Sequence, residues 1–198
     1  DQVDLMVLPE GLISVRSADD LPQIGLTRGT LLLGGQRHAE GVTYQTAFAH
    51  SPKTGWTSAD KTRLVIFGEF VPGRGVIPYP ASFALPGGDL SAASEGRLIE
   101  GERRDGTPFR IGPILCFEAL FPDVAWRQRA EGAEVLAVMS LDDWFQGTPA
   151  PMWLAWAARW RAGEAGVPLV RVGSLGRTFI TDHRGRVLNE VPWRARGA

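Results

Sequence analysis

The only cysteine of this 198-residue chain, Cys116, follows an apolar run, Pro113 to Leu115, where the sequence changes to a helical pattern. A cysteine at a strand-to-helix turn lies beside helix N–H groups and is expected to be exposed, and both conditions favour the nucleophilic thiolate. One cysteine cannot form a disulfide within the chain and is too few for a cysteine zinc site. This feature alone leaves two alternatives open, a reactive thiol and a buried structural cysteine.

Two charged residues upstream of the cysteine could assist such a thiol. Glu10 follows the predicted strand Val3 to Leu8 and could act as the general base for the Cys116 thiol. A solvated loop glutamate is the plainer interpretation. Lys61 precedes an apolar segment, residues 64–67, that predicts a strand, and its ammonium could stabilise an oxyanion in a cleft. The alternative is a surface lysine, which is weakened because the chain has only one other lysine, Lys53.

Other polar residues lie near these candidates in the sequence. Glu69 lies in an apolar stretch between Phe67 and Phe70, so it either faces solvent or is held by a charged partner. The segment Asp142 to Phe145 follows a predicted strand that ends near Ser140, and strand ends are where α/β proteins place working groups.

The predicted elements around these residues are mostly strands. Predicted strands cover residues 3–8, 30–33, 42–49, 56–58, 64–67, 96–102, 107–111, 113–116, 134–139, 169–172, 178–181 and 186–188. Helices are predicted over residues 118–130 and 151–165, and a Pro- and Gly-rich loop, ordered by Phe70, Tyr79 and Phe83, over 71–88. Because each helix connects one strand to the next, the pattern predicts a mixed, layered α/β domain with paired sheets.

Length and composition set broad limits. A chain of 198 residues with 44% hydrophobic and 22% charged residues fits one globular domain, residues 1–198. A formal net charge of −1 gives no indication of a nucleic-acid partner. The sequence has no signal peptide and no apolar run of the ~18–20 residues that span a bilayer. It begins at Asp1 without Met and stops at Ala198, so we expect a fragment that is truncated at both ends and lacks any membrane segments.

A glutamate, a lysine and a cysteine at such positions resemble the catalytic set of the nitrilase (carbon–nitrogen hydrolase) superfamily, and the most similar branch is the catalytic domain of the apolipoprotein N-acyltransferases. The blocks that carry the resemblance are Asp4 to Glu10, which ends in Pro-Glu; Lys61 to Pro72, with its Phe-Gly-Glu tail; Cys116-Phe117-Glu118 with Leu120-Phe121-Pro122; and Ser140 to Phe145 with Arg161 to Glu164. The Lys61 block is the most specific of them. Departures from the branch's pattern surround the expected substrate cleft and comprise Gln45, Ile66, Phe117, Leu141 and Asp143, while Leu8 replaces the usual tryptophan before Pro-Glu.

The resemblance implies a role for each of these residues. It makes Glu10 the general base, Lys61 the oxyanion stabiliser and Cys116 the nucleophile, with the N–H of Phe117 completing the oxyanion hole. The remaining implied positions are Glu69 as a second important glutamate, Glu118 as a supporting carboxylate, and Trp144 and Phe145 with residues 71–85 as an acyl-chain entrance. The implied fold is a four-layer αββα sandwich, and no metal or organic cofactor is implied.

The implied activity is acyl transfer in lipoprotein biosynthesis through a cysteine thioester, with a phospholipid as acyl donor and the N-terminal amine of an apolipoprotein as acceptor. It implies the bacterial inner membrane, with this domain on the extracytoplasmic side and membrane contact through segments outside the chain. One alternative is a soluble, cytoplasmic amidase or carbamoylase that uses the same residues with water. Another is a non-catalytic binding module, against which the presence of all three residues argues. A serine hydrolase is disfavoured because the histidines accompany no Gly-x-Ser-x-Gly motif: His38, His50 and His183.

Three tryptophans occur at helical spacing in the second predicted helix: Trp153, Trp156 and Trp160. We expect them to pack against the neighbouring helix, and a role at a membrane interface is the alternative.

Overall fold

The computed structural model describes residues 2–74, 76–80, 85 and 88–191, which form two β-sheets and two α-helices. The strands of the first sheet are β1 (Leu5–Val7), β2 (Ile13–Val15), β3 (Thr30–Ala39), β4 (Val42–Ser51) and β5 (Gly55–Asp60). The sheet order is β1-β3-β4-β5, and β2 also pairs with β3. Both β1 and β2 run parallel to β3, so residues 8–12 form a loop that interrupts one edge of this sheet.

The second sheet has six strands in the order β11-β10-β9-β8-β7-β6. They are β6 (Ile99–Glu102), β7 (Pro108–Leu115), β8 (Val135–Ser140), β9 (Leu169–Gly173), β10 (Thr178–Thr181) and β11 (Val187–Val191). The central strands β7, β8 and β9 are parallel. Helix α1 (Pro122–Ala130) connects β7 to β8, and α2 (Ala150–Ala165) connects β8 to β9. The carboxyl ends of these strands therefore lie at one edge of the sheet.

Three apolar clusters hold these layers together. One lies between the two sheets and includes Leu32 and Met139, each fully buried. A second lies between the helices and the second sheet and includes Leu136 and Ala158. A third covers the outer face of the first sheet, where Leu33 and other strand residues pack against side chains from the loop that follows β2. The order of layers is helices, second sheet, first sheet and loop.

The predicted α/β class with paired sheets is confirmed, with one difference from the four-layer sandwich. Among the described residues, the outer face of the first sheet carries residues 16–29 with one short 3-10 turn, Ala18–Asp20, in place of helices. Pro22, Gly25 and Gly29 all fall within these fourteen residues, and such residues oppose a regular helix. The described part of the chain contains no helix that is long and apolar enough to cross a membrane.

The predicted strand over residues 64–67 is wrong. Residues 65–70 form a tight turn in which the N–H of Glu69 donates to the Val65 carbonyl at 2.8 Å, and Ile66 makes only an isolated bridge to Phe70. Phe67 has a φ of 61°, in the left-handed region that no strand uses. Lys61 therefore comes directly after β5 instead of before a strand.

The predicted helix over residues 118–130 is interrupted near its beginning. Cys116–Leu120 form a 3-10 turn, and α1 begins at Pro122. Proline has no N–H to continue a helix and restricts the preceding residue, here Phe121, to an extended backbone.

Two further expectations concern aromatic side chains. The tryptophans of α2 are more exposed than packing against the neighbouring helix predicts, because Trp153, Trp156 and Trp160 are 57%, 44% and 63% exposed. In the predicted loop over residues 71–88, the hydroxyl of Tyr79 donates to the Pro72 carbonyl at 2.9 Å. Phe83 lies outside the described residues, as does part of the expected acyl-chain entrance.

Candidate active site

Three buried side chains at the ends of strands meet where the two sheets face each other. Lys61 directly follows β5, Cys116 directly follows β7, and Glu10 lies in the loop that follows β1. Their exposed fractions are 1%, 7% and 4%, and each acts electrostatically on the others. The structure thus brings together the glutamate, lysine and cysteine that the sequence analysis selected.

The Lys61 ammonium lies between two carboxylates. Its Nζ is 2.6 Å from Oε1 of Glu69 and 3.9 Å from Oε1 of Glu10. The other oxygen of Glu69 accepts the Val65 N–H at 2.8 Å, which fixes the carboxylate against the tight turn. Of the two options for Glu69, the structure shows the carboxylate held by a charged partner.

The pKa of Lys61 remains above its ordinary range in this buried place. Burial alone would lower it, but the carboxylates of Glu10 and Glu69 outweigh that effect and raise it. Lys61 is therefore an ammonium at neutral pH, as an oxyanion stabiliser requires.

The pKa of Glu10 is raised to about 6, chiefly because burial disfavours the charged carboxylate. Lys61 opposes the rise, and the neighbouring charge of Glu69 adds to it. Two hydrogen bonds favour the ionised form, one from the Gln45 side chain and one from the Leu141 N–H, which is 3.2 Å from Oε2. At pH 7 Glu10 is mostly ionised and close to the pH at which it can accept and return a proton.

The expectation of an exposed cysteine with a lowered pKa is wrong. Burial, and next the negative charge of Glu10, raise the pKa of Cys116 to about 11, against the opposing effects of Lys61 and of the neighbouring Ser140 hydroxyl. The 3-10 turn at Cys116 is five residues long and gives a much smaller helix dipole than the long helix that the sequence predicted. At neutral pH the site therefore contains a protected neutral thiol.

Cys116 has a strained backbone that its neighbours hold in place. Its φ is 49°, in the left-handed region that costs a non-glycine residue about 1–3 kcal/mol. Glu118, 3% exposed, accepts the Leu115 N–H on one oxygen at 2.9 Å. Its other oxygen accepts the N–H and the hydroxyl of Thr62 at 2.8 and 2.7 Å, and the Arg63 N–H at 3.2 Å. Glu118 thereby ties the cysteine turn to the segment that follows Lys61.

A cavity of about 430 Å³ opens above these groups. Glu10, Glu69 and Cys116 line it, together with Trp144 and Phe145, the two aromatic residues expected in the cleft. The remaining lining residues are Gly11, Leu12, Ile13, Ser14, Gln36, Gln45, Gly68, Gly88, Leu90 and Leu141. The lining therefore combines buried charged groups with apolar side chains, of which Leu12 and Trp144 are at least half exposed.

Two further residues of the site need separate comment. The Phe117 ring packs edge-on against Phe121, with 5.2 Å between centroids, while the role expected of its N–H stays a prediction. Arg171 was not predicted from the sequence as part of the site; it is fully buried in β9 and paired with Asp142 at 2.9 Å. An arginine within the apolar strand Leu169–Gly173 is the signal that could have revealed it, because such a cation needs a buried partner.

Comparison with known proteins places this geometry in a family. The sequence model for carbon-nitrogen hydrolase matches residues 2–198. An apolipoprotein N-acyltransferase of Allorhizobium ampelinum is 31% identical over 98% of this chain and 39% of that protein. A second, from Rhizobium rhizogenes, is 34% identical over 71% of this chain and 26% of that protein. The chain therefore spans less than half the length of these curated relatives.

A solved structure supports the fold independently. A CN-hydrolase superfamily protein of Xanthomonas campestris, with an arsenic adduct in its active site, superposes with a TM-score of 0.66. The match covers 96% of this chain and 74% of that one at 18% identity. At that identity the likeness concerns the fold alone.

Proposed function

This chain belongs to the carbon–nitrogen hydrolase family, and we propose that it catalyses acyl transfer from a phospholipid to the N-terminal amine of an apolipoprotein. The observation that carries the proposal is the meeting of Glu10, Lys61 and Cys116 beside one cavity: Glu10 and Cys116 line it, and the buried Lys61 ammonium lies 3.9 Å from the Glu10 carboxylate. The names of its curated relatives support the choice of this reaction within the family.

The first half-reaction forms a thioester on Cys116. The Glu10 carboxylate takes the thiol proton as the sulfur attacks the ester carbonyl of the phospholipid. The Lys61 ammonium, with the N–H of Phe117, stabilises the tetrahedral oxyanion. The C–O bond of the ester then breaks, and Glu10 returns its proton to the departing oxygen of the lysophospholipid.

The second half-reaction transfers the acyl group to nitrogen. The acceptor α-amine attacks the thioester carbonyl, and Glu10 removes a proton from the amine. When the C–S bond breaks, that proton passes to the sulfur, which restores the neutral thiol and the Glu10 carboxylate. The amide product and the starting enzyme are the only species that remain.

The protonation states in the resting site fit this order of events. Because the pKa of Cys116 is about 11 and that of Glu10 about 6, the proton rests on sulfur at neutral pH. Proton transfer must therefore accompany attack on the carbonyl. A neutral thiol in a buried site is protected from oxidation between turnovers.

The surroundings of the cavity suit an acyl chain and a membrane surface. Exposed apolar side chains lie in its walls and in the neighbouring segments, namely Leu12, Ile66, Phe67, Val76, Ile77 and Trp144. Exposed apolar groups of this kind mark binding surfaces for apolar ligands, other proteins or membranes. These side chains support a location at a membrane surface, and we propose the bacterial inner membrane, with this domain on the extracytoplasmic side and membrane contact through segments outside the chain.

Intact-protein mass spectrometry tests the proposal. The protein is incubated with phospholipid vesicles without an acceptor, and we expect one added acyl mass on Cys116. A diacylglyceryl-cysteine peptide should then remove that mass and become N-acylated, and Cys116→Ala should form no adduct.

The same experiment distinguishes acyl transfer from hydrolysis by a soluble amidase or carbamoylase, the alternative function. One outcome is that small amides or carbamoyl compounds acylate Cys116 and water releases the product, while phospholipids leave no adduct. In that case the acyltransferase proposal fails and hydrolysis replaces it. If no acyl compound modifies Cys116, both reactions are excluded and the binding-module hypothesis takes their place.

A further inference from the structure

Ser140 lies beside the nucleophile on the neighbouring strand. Strands β7 and β8 are parallel, with Leu115 opposite Met139, so the next residues, Cys116 and Ser140, are neighbours at the strand ends. The Ser140 side chain is 1% exposed, and its hydroxyl is near enough to Cys116 to lower the pKa of the thiol.

The Ser140 hydroxyl has a second partner that decides its orientation. Its Oγ donates to Oδ1 of Asp142 at 2.7 Å. A hydroxyl has one hydrogen and two lone pairs, so an Oγ that donates to Asp142 presents a lone pair to Cys116. A hydrogen bond between the thiol and this hydroxyl in the resting site therefore has the thiol as donor and Ser140 as acceptor.

Asp142 is itself held rigidly by Arg171. Nη2 of Arg171 is 2.9 Å from both oxygens of Asp142, and Nη1 donates to the Arg177 carbonyl. Asp142 is 1% exposed and Arg171 fully buried. The guanidinium neutralises the carboxylate, which makes Asp142 a weaker competitor for the Ser140 hydrogen and lets the hydroxyl turn.

We propose that Ser140 is a positioning residue that aims the Cys116 thiol in the resting site and donates a hydrogen bond to the sulfur once its proton has left. The inference rests on the proposed role of Cys116 as the nucleophile. As the proton passes to Glu10, the Ser140 hydroxyl turns from Asp142 to the sulfur anion. The resulting bond to a charged acceptor is stronger than the one it replaces.

Several charged groups face the same sulfur. Glu10 and Asp142 disfavour the thiolate, and Lys61 favours it. Ser140 differs from all of them because it changes from acceptor to donor without a change in its own charge. Its effect can therefore be measured separately from the ion pairs.

The S–H stretching band in the infrared spectrum gives a direct test, because Cys116 is the only thiol in the sequence. Ser140→Ala removes the acceptor, so the band should shift to higher frequency, and Ser140→Thr should restore it. Ser174→Ala is the matched control, because the Ser174 hydroxyl bonds to Asp143 in the same loop. A band that stays in place in Ser140→Ala, or moves equally in Ser174→Ala, would overturn the proposal.

A second measurement tests the donor state. The rate of Cys116 alkylation by iodoacetamide is followed from pH 6 to 9, with circular dichroism to verify that each variant is folded. One hydrogen bond to a charged group shifts a pKa by about one unit, so Ser140→Ala should react about three- to tenfold more slowly. Ser140→Thr and Ser174→Ala should keep the parent rate, and an unchanged rate in Ser140→Ala would contradict the donor role.

Neither measurement uses an acyl donor or acceptor. If no acyl adduct forms on Cys116, the proposed function fails while the orientation of the thiol by Ser140 can still be observed. If the band and the rate are insensitive to Ser140, this inference fails while acyl transfer can still be found.

Discussion

At the scale of single residues, the site is governed by an imbalance of buried charge. Two carboxylates, Glu10 and Glu69, share one ammonium, Lys61, and all three are at least 92% buried. Glu69 is the closer partner at 2.6 Å, which leaves Glu10 with the weaker attraction. The residue less tightly paired with Lys61 is therefore the one available to exchange a proton.

This imbalance predicts the pH dependence of the reaction. The pKa of Glu10 is raised to about 6, and only its ionised form can accept the thiol proton. The rate of Cys116 acylation by phospholipid vesicles, measured as adduct formation in single turnovers, should therefore fall tenfold per pH unit below about pH 6. If the rate falls only below about pH 4.5, the ordinary pKa of a glutamate, the role of Glu10 is contradicted.

At the scale of secondary-structure elements, the loop that carries Glu10 depends on a glycine in the strand beside it. Gly34 lies in β3, and its N–H donates to the Pro9 carbonyl at 3.2 Å. A Cβ at this position would lie 2.6 Å from the Glu10 Cα and 3.2 Å from its Cβ. The backbone of the Glu10 loop must therefore move if residue 34 has any side chain.

Gly34→Ala should consequently slow the acylation of Cys116, because it displaces the loop that carries Glu10. A displacement of about 1 Å at a reacting group can cost about a hundredfold in rate, so we expect at least that loss in Cys116 acylation. Gly25→Ala is the control, because nothing lies within 4 Å of a Cβ there. Rates within threefold of the parent for Gly34→Ala would show that the loop tolerates the shift.

The buried ion pair between Arg171 and Asp142 connects β9 to the loop after β8. Removal of one partner from such a pair leaves an uncompensated buried charge and costs about 3–5 kcal/mol. Arg171→Met should lower the free energy of unfolding by that amount, measured by urea denaturation. Arg177→Met removes a more exposed pair with Glu190 and should cost about 0–1 kcal/mol. Equal losses in the two variants would show that burial of the Arg171 pair contributes nothing.

Some site residues and elements could be predicted from the sequence and others could not, and the difference has physical reasons. Strand-end reasoning selected Glu10 and Cys116, because the end of an apolar run is visible locally. Lys61 was selected from a strand over residues 64–67 that does not form. Burial of the thiol, which is 7% exposed, could not be predicted, because it depends on how segments distant in the sequence pack together. The loop over residues 16–29 could be predicted in part, because Pro22, Gly25 and Gly29 oppose a regular helix, whereas its packing on the first sheet could not.

At the scale of the whole molecule, the site depends on the contact between the two sheets. Glu10 and Lys61 follow strands of the first sheet, while Cys116 follows a strand of the second. The apolar cluster between the sheets therefore sets the distance over which the proton moves. Side chains in this cluster influence the reaction, whereas those between the helices and the second sheet contribute mainly to stability.

Two leucines test this distinction at equal burial. Leu32 lies between the sheets, Leu136 lies under the helices, and each is fully buried. Replacement of either by alanine should cost about 2–5 kcal/mol of stability, since each leaves a cavity in a packed core. The Leu32 carbonyl also accepts the Leu8 N–H at 2.8 Å, so a shift of β3 moves the loop that carries Glu10. Below the melting temperature of both variants, we therefore expect Leu32→Ala to acylate Cys116 at least tenfold more slowly than Leu136→Ala. Equal rates at equal stability would mean that the distance between the sheets does not control the proton transfer.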